Sequence, residues 1–301
     1  MSNKNLIIIA GPTAIGKTAL SITLAKYYHC PVVSADSRQF FKEMKIGTAK
    51  PTIEEMQGVT HYFIDSHSIT DDYNAGKYET ETITLLEKLF QTNEIIILSG
   101  GSGLYIDAIC KGFDDLPEAD SDIRNKINIL SQQQGIKRLQ ELLKKLDKDY
   151  YNTVDLQNPQ RISRALEVCL TTGIPYSVLR KGKKHVRNFT IIKIGLNTSR
   201  DILYERINKR VDEMMENGLL DEVKSLQAYK HLNALQTVGY KELFDFIDNK
   251  TDLKTAIELI KQNTRRFAKR QLTWFKKDEQ MKWFQPHQVT DIIAYINNAI
   301  H

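Results

Sequence analysis

Gly11-Pro12-Thr13-Ala14-Ile15-Gly16-Lys17-Thr18 follows the spacing G-x-x-x-x-G-K-[ST], which belongs to loops that wrap a di- or triphosphate. The reason is chemical. Glycines let main-chain N–H groups converge on an anion, a following helix adds the positive end of its dipole, Lys17 brings a full charge, and the Thr18 hydroxyl can ligate Mg²⁺. The pattern names the anion, a diphosphate or a nucleotide such as ATP, but not the reaction. Phosphoryl-transferring sites of this kind also hold Mg²⁺ through an acid at the end of a second strand. Here Glu94–Leu98 runs into Ser99-Gly100-Gly101-Ser102-Gly103 without one, whereas Asp36 follows Pro31-Val32-Val33-Ser34. The residues therefore offer a phosphate cradle with a carboxylate nearby and no evident apparatus for splitting ATP. A nucleotide or small-molecule kinase stays open at this point.

These groups must be placed by regular elements. Leu6–Ala10 is a continuous apolar run and Thr18–Tyr28 is periodic, so the loop is expected between a buried strand and a helix. Pro31–Ser34 and Glu94–Leu98 read as further strands, and apolar strands separated by helical segments predict a parallel sheet covered on both faces. Past Gly112 the texture changes. Asp114-Asp115-Leu116-Pro117 breaks the pattern, Asp120 to about Thr172 reads as charged helix throughout, and the strand pattern resumes at Thr190–Leu196. A helical block inside a strand-bearing frame predicts an insertion: 1–115 with 188–301 as the core, and 116–187 inserted. From Arg200 onward helices are expected, with breaks at Gly218 and Gly239.

The ordered set of strings resembles the tRNA dimethylallyltransferase family, also called tRNA isopentenyltransferases. It comprises the Gly11–Thr18 loop, Ser34-Ala35-Asp36-Ser37-Arg38-Gln39, Ile46-Gly47-Thr48-Ala49-Lys50-Pro51 and Gly100–Tyr105. It continues with Asn158-Pro159-Gln160-Arg161, Arg164-Ala165-Leu166-Glu167, Val238-Gly239-Tyr240-Lys241-Glu242 and Thr264–Gln271. Ile15, Ser102 and Val238 stand where Ser, Thr and Ile are common, and Ile15 lacks a hydroxyl expected near the phosphates. The resemblance implies a P-loop NTPase-like α/β fold, a parallel sheet flanked by helices with an inserted all-helical domain that binds tRNA. It also implies transfer of a dimethylallyl group from dimethylallyl diphosphate to the N6 amine of adenosine 37, in the anticodon stem-loop, with Mg²⁺ as cofactor. By the same resemblance Asp36 is the general base and Arg210 the catalytic arginine, while Thr13, Lys17 and Thr18 hold the diphosphate. The tRNA contacts would be Asp36, Ser37, Arg38, Gln39, Ser102, Arg124, Gln160, Arg161, Ile162, Ser163, Arg164, Gln236, Thr237, Val238, Gly239, Tyr240 and Lys241.

Plainer roles compete for these residues. Asp36 could cap the turn after its strand, Arg161 and Arg164 could pair with Glu167, and Arg210 could form a surface ion pair beside Arg206. His61 and His67 lack metal-ligand spacing and read as structural. Cys30, Cys110 and Cys169 are too far apart in sequence for a zinc knuckle or a disulfide framework. No apolar run approaches the roughly 20 residues of a membrane span, and a cytoplasmic monomer is expected. Composition bounds the rest: 41% hydrophobic residues among 301 are enough for a core, and a net charge of +5 does not by itself diagnose a nucleic-acid partner. The placement of charge says more. Arg180, Lys181, Lys183, Lys184 and Arg187 form one acid-free stretch; Arg265, Arg266, Lys269, Arg270, Lys276 and Lys277 form another beside Phe267, Trp274 and Phe275, a mixture suited to a phosphate backbone. An adenylate isopentenyltransferase and a non-catalytic RNA-binding module remain as alternatives; the helical block disfavours the first, and Lys17, Thr18 and Asp36 together disfavour the second.

Overall fold

An apolar run such as Leu6–Ala10 is most stable in the middle of a sheet covered on both faces. The computed structural model describes residues 4–114, 116–118, 120–182 and 185–300. Among them the strands are β1 (Asn5–Ala10), β2 (Val32–Ser34), β3 (His61–Tyr62), β4 (Ile95–Gly100), β5 (Thr190–Leu196) and β6 (Lys282–Phe284). They form one sheet in the order β3-β2-β4-β1-β5-β6, parallel throughout. β1 lies between β4 and β5 and is buried along its length. Its side chains alternate between two cores. Leu6, Ile8 and Ala10 join Leu98, Tyr78 and Tyr105 on one face, while Ile7 and Ile9 join Leu24, Ile194, Ile207 and Ile296 on the other. Each such isoleucine contributes about 2 kcal/mol by leaving water.

The sequence did not reveal the edge strands β3 and β6. With two and three residues they are too short to carry a period, and they exist because β2 and β5 offer unpaired edges. Close approach shapes the end of β4. A Cβ on Gly100 would lie 2.2 Å from the Ala35 carbonyl oxygen, so only glycine lets the chain leaving β2 pass this point.

The chain divides into two compact units, residues 1–110 with 187–301, and residues 111–186. The second contains helices Ser121–Leu146, Lys148–Thr153 and Pro159–Thr172 and the short Tyr176–Leu179, packed around Ile127, Leu139, Leu143, Tyr150, Ile162 and Leu166. The helicity expected from Asp120 to Thr172 is interrupted: Gly135 takes φ 72° inside the first helix, and the chain leaves helix between Thr153 and Pro159. Asn158 caps the third helix by accepting from Arg161 N at 3.1 Å, as its position before Pro159 suggests. No helix among the described residues is long and apolar enough to cross a membrane.

The first basic stretch does not survive as one surface. Arg187 is largely buried, donating to Glu79 at 2.7 Å and to the carbonyls of Ala108 and Ile109 at 2.8 Å, because its guanidinium satisfies backbone acceptors there. Arg180 lies over the Tyr150 ring, and Lys183 and Lys184 fall outside the described residues. In the second stretch Phe275 is core, whereas Phe267 and Trp274 stay partly exposed.

A buried cation tests the sheet. Lys193, inside β5, donates to Asp278 Oδ2 at 2.7 Å and Gln280 Oε1 at 3.1 Å. Removing one partner of a buried pair is costly because the other charge stays behind. Asp278→Ala should lower the unfolding free energy by about 3–5 kcal/mol in urea titrations, and Lys193→Met, which removes the buried charge itself, should cost less.

Candidate active site

The Gly11–Thr18 loop joins β1 to helix Lys17–Tyr28, so it lies at the carboxyl end of a central strand, where parallel α/β sheets bind ligands. Gly16 takes φ 104° as the residue before the helix, a conformation that any side chain would strain. Ala14 takes φ 62° without being glycine, a local strain at the loop's tip. Ile15 turns its side chain into the core below, with no exposed surface; it exchanges a possible hydroxyl contact for packing. Lys17 Nζ bends back to Gly11 O at 3.0 Å and Pro12 O at 2.8 Å. Burial brings its pKa down to about 8, with Asp36 pulling it up and Arg210 pushing it down.

Arg210 arrives from helix Arg200–Glu216 and donates to Thr13 Oγ1 at 3.3 Å; Arg206, one turn earlier, donates to Ile15 O at 3.4 Å. Burial holds the Arg210 pKa below its ordinary value, against the pull of Asp36. Lys17 and Arg210 are thus two poorly solvated cations beside one phosphate-type loop. Such a pair is relieved when an anion joins it.

Asp36 stands two residues past β2. Its Oδ1 accepts from Arg38 N at 2.9 Å and Gln39 N at 3.3 Å, so the capping role open in the sequence is realised. A carboxylate has lone pairs to spare beyond these two bonds. The turn it caps is held from several sides. Ser102 Oγ accepts from Ser37 N at 2.9 Å, Gln39 Nε2 donates to the Thr48 and Ala49 carbonyls, and Arg38 Nη2 reaches Asn233 O at 3.4 Å. The 45–49 segment is fixed in turn by Glu222, whose carboxylate accepts from the N–H groups of Lys45, Ile46 and Gly47 and from the Tyr240 hydroxyl.

Sequence reasoning missed Glu222, which carries no local signature. Gln271 was visible only inside a matched string. It is buried on helix Leu253–Phe275, accepts from Thr13 N and donates to Gly101 O, both at 2.9 Å.

Several expected tRNA contacts are placed otherwise. The side chains of Tyr240 and Ile162 are fully buried, so those positions offer only main chain to a partner; their apolar surface is in the core. Gln236 and Lys241 are exposed, Thr237 and Val238 are half-buried, and Gly239 turns at φ 96° into helix Tyr240–Ile247. In the helical unit, Arg124 and Arg164 both bind the buried Glu167 carboxylate, at 2.9 and 3.3 Å, and Arg164 also donates to Pro117 O at 2.8 Å. Gln160 and Arg161 are exposed and Ser163 is half-buried. Glu167 thus takes Arg164 but not Arg161.

No group of three or more His, Cys, Asp or Glu residues among those described could hold a metal. His61 binds its neighbour Val59 O and His67 packs among Phe40, Phe63 and Tyr73. Thr18 is exposed in the first helical turn. A lone hydroxyl beside a phosphate loop fits Mg²⁺, which takes few protein ligands and completes its shell with phosphate oxygens and water.

The pattern of the family described as IPP transferase matches residues 39–278. A tRNA dimethylallyltransferase of Flavobacterium johnsoniae is 54% identical over 97% of this chain and 97% of its own length. Another, tRNA dimethylallyltransferase 1 of Bacteroides thetaiotaomicron, is 50% identical over 97% of this chain and 94% of its own. Among solved structures, a full-length tRNA isopentenylpyrophosphate transferase from Bacillus halodurans superposes with a TM-score of 0.73 at 35% identity, covering 99% of this chain and 97% of that one. A eukaryotic dimethylallyltransferase acting on tRNA superposes with a TM-score of 0.78 at 26% identity, covering 95% of this chain and 75% of that one.

The two neighbouring arginines of the helical unit should separate in a stability assay. Arg164→Ala removes a charged hydrogen bond from a buried carboxylate and should cost about 1–3 kcal/mol in denaturant unfolding. Arg161→Ala, at an exposed position, should stay within about 0.5 kcal/mol of the parent.

Proposed function

The chain belongs to the IPP transferase family, and on that premise we propose that it prenylates tRNA by joining the phosphate loop and Asp36 in one reaction. It is a prenyltransferase that moves a dimethylallyl group onto tRNA, and we assign the donor as dimethylallyl diphosphate and the acceptor as N6 of adenosine 37. The observation that carries this reading is the convergence of Lys17, Arg210 and Thr13 near Asp36.

An exocyclic amine is a weak nucleophile because its lone pair is delocalised into the purine. The site must therefore help the leaving group, fix the geometry and accept a proton. As the amine nitrogen bonds to the allylic carbon, the carbon–oxygen bond breaks and its electron pair departs on the diphosphate. Lys17, Arg210 and the loop N–H groups receive that growing charge. The nitrogen's surplus proton passes to Asp36, whose two main-chain hydrogen bonds hold the carboxylate in place. Thr18 would hold Mg²⁺ against the diphosphate, where the ion adds charge neutralisation to the leaving group. Presenting the base requires that it leave the stack of the anticodon loop. Arg161 and Gln160 in the helical unit, with Gln236 and Lys241 in the core, are exposed groups suited to the RNA. We place the protein in the cytoplasm, acting as a monomer.

Mass spectrometry of nucleosides from tRNA incubated with dimethylallyl diphosphate should detect the prenylated adenosine. Asp36→Asn keeps the shape but loses the base, so the saturated rate should fall roughly 10²- to 10⁴-fold with little change in tRNA affinity. Near-normal turnover in that variant would reduce Asp36 to a capping residue; ATP-dependent phosphorylation without prenyl transfer would replace the whole reading by a kinase. A second check uses pH. Lys17 of the free protein titrates near 8 and is charged below that value. Because kcat/KM reports the free enzyme, kcat/KM for the donor should decline as pH rises through this value. Lys17→Ala should be slower throughout and lack the decline.

A further inference from the structure

Gln271 commits both ends of its amide to loops from different strands. Oε1 accepts from Thr13 N, in the loop after β1, and Nε2 donates to Gly101 O, in the turn after β4, each at 2.9 Å. The side chain is buried, with 7% of the residue's surface exposed. The fit leaves no slack, since a Cβ on Gly101 would lie 2.3 Å from Nε2. Each loop carries one half of the chemistry. Thr13 receives Arg210, on the diphosphate side. Ser102, next to Gly101, accepts from the N–H of Ser37, adjacent to Asp36 on the acceptor side.

We propose that Gln271 is a positioning residue that sets the spacing between the diphosphate loop and the Asp36 turn, and so the distance across which carbon and nitrogen meet. This rests on the reading of the reaction given above. A primary amide suits the task because it presents an acceptor and a donor at the two tips of one rigid plane. A carboxylate in its place would set an oxygen against the Gly101 carbonyl, and a thioether would make neither strong bond. The two half-sites each keep their own contacts without Gln271: Lys17 to Gly11 and Pro12 on one side, Asp36 to Arg38 and Gln39 on the other. Loss of the amide should therefore affect their separation more than their separate affinities. Small misplacements of reacting groups are costly, about 10²-fold per ångström.

The test compares the full-length parent with Gln271→Glu and Gln271→Met. It measures affinity for inorganic diphosphate, affinity for tRNA, the unfolding midpoint, and the saturated single-turnover rate with dimethylallyl diphosphate. Both affinities should stay within about threefold while the rate falls roughly 10- to 100-fold. The Glu variant should regain rate, relative to the parent, as pH is lowered, because a protonated carboxyl can again donate to Gly101 O; the Met variant should not. Should the Met variant fail to fold, the pH series on the Glu variant decides alone, and a flat ratio to the parent overturns the proposal. Saturated rates within threefold of the parent in both variants would also overturn it, as would a loss confined to diphosphate affinity. A parent that transfers no prenyl group to tRNA would instead refute the reaction, whereas an active parent with equally active variants refutes only the role of Gln271.

Discussion

Two half-buried cations set beside one phosphate-type loop, with Asp36 acting on both, are the constraint on which the rest of the structure depends. Lys17 and Arg210 are both depressed by burial, and Asp36 offsets this only in part. Left to themselves these groups would move apart or take up water. They stay because each is carried by an element whose own packing is secure: Lys17 by the helix that covers one sheet face through Leu20 and Leu24, and Arg210 by a helix anchored through Leu203, Ile207 and Val211. The hydrophobic cores thus hold an electrostatic imbalance, one that the proposed diphosphate would relieve.

Asp36 is held by a different logic. No regular element carries it; it sits in a turn, and the turn is fixed by side chains and carbonyls from segments both near and far in sequence. Ser102, Thr48, Ala49 and Asn233 meet it directly, and Glu222 with Tyr240 steadies the 45–49 segment behind it. A loop fixed in this way can be rigid without being regular. The cost is dependence on many partners, so substitutions at Glu222 or Gly47 reach the site without touching it. Gly47 leaves no room for a side chain, because a Cβ there would meet the Tyr240 ring at 2.5 Å.

Local features were legible in the sequence and non-local ones were not. The phosphate loop, the strand before it and the helix after it announce themselves through adjacent residues, as does the Asn158 cap. β3 and β6 do not, since they owe their existence to neighbouring strands. The ion pair of Arg187 with Glu79 and the bridge made by Gln271 join residues over a hundred positions apart. Tyr240 and Ile162 illustrate another limit: strings matched as tRNA contacts also contain side chains that pack into the core, and burial is not legible from the string itself. Arg164 and Arg161 divide in the same manner, one held by Glu167 and one turned outward.

The order of strands has a consequence for synthesis on the ribosome. β1 is made before its neighbours, and β4 can pair with it once Gly100 has emerged, but its other neighbour, β5, does not begin until Thr190. Throughout the intervening stretch, on the order of ten seconds at usual elongation rates, this fully buried, apolar strand has one open edge. Such an edge invites pairing with another nascent chain. The residues translated in that interval are largely those of the 111–186 unit, which has a hydrophobic core of its own and can bury its apolar side chains before the central sheet is closed.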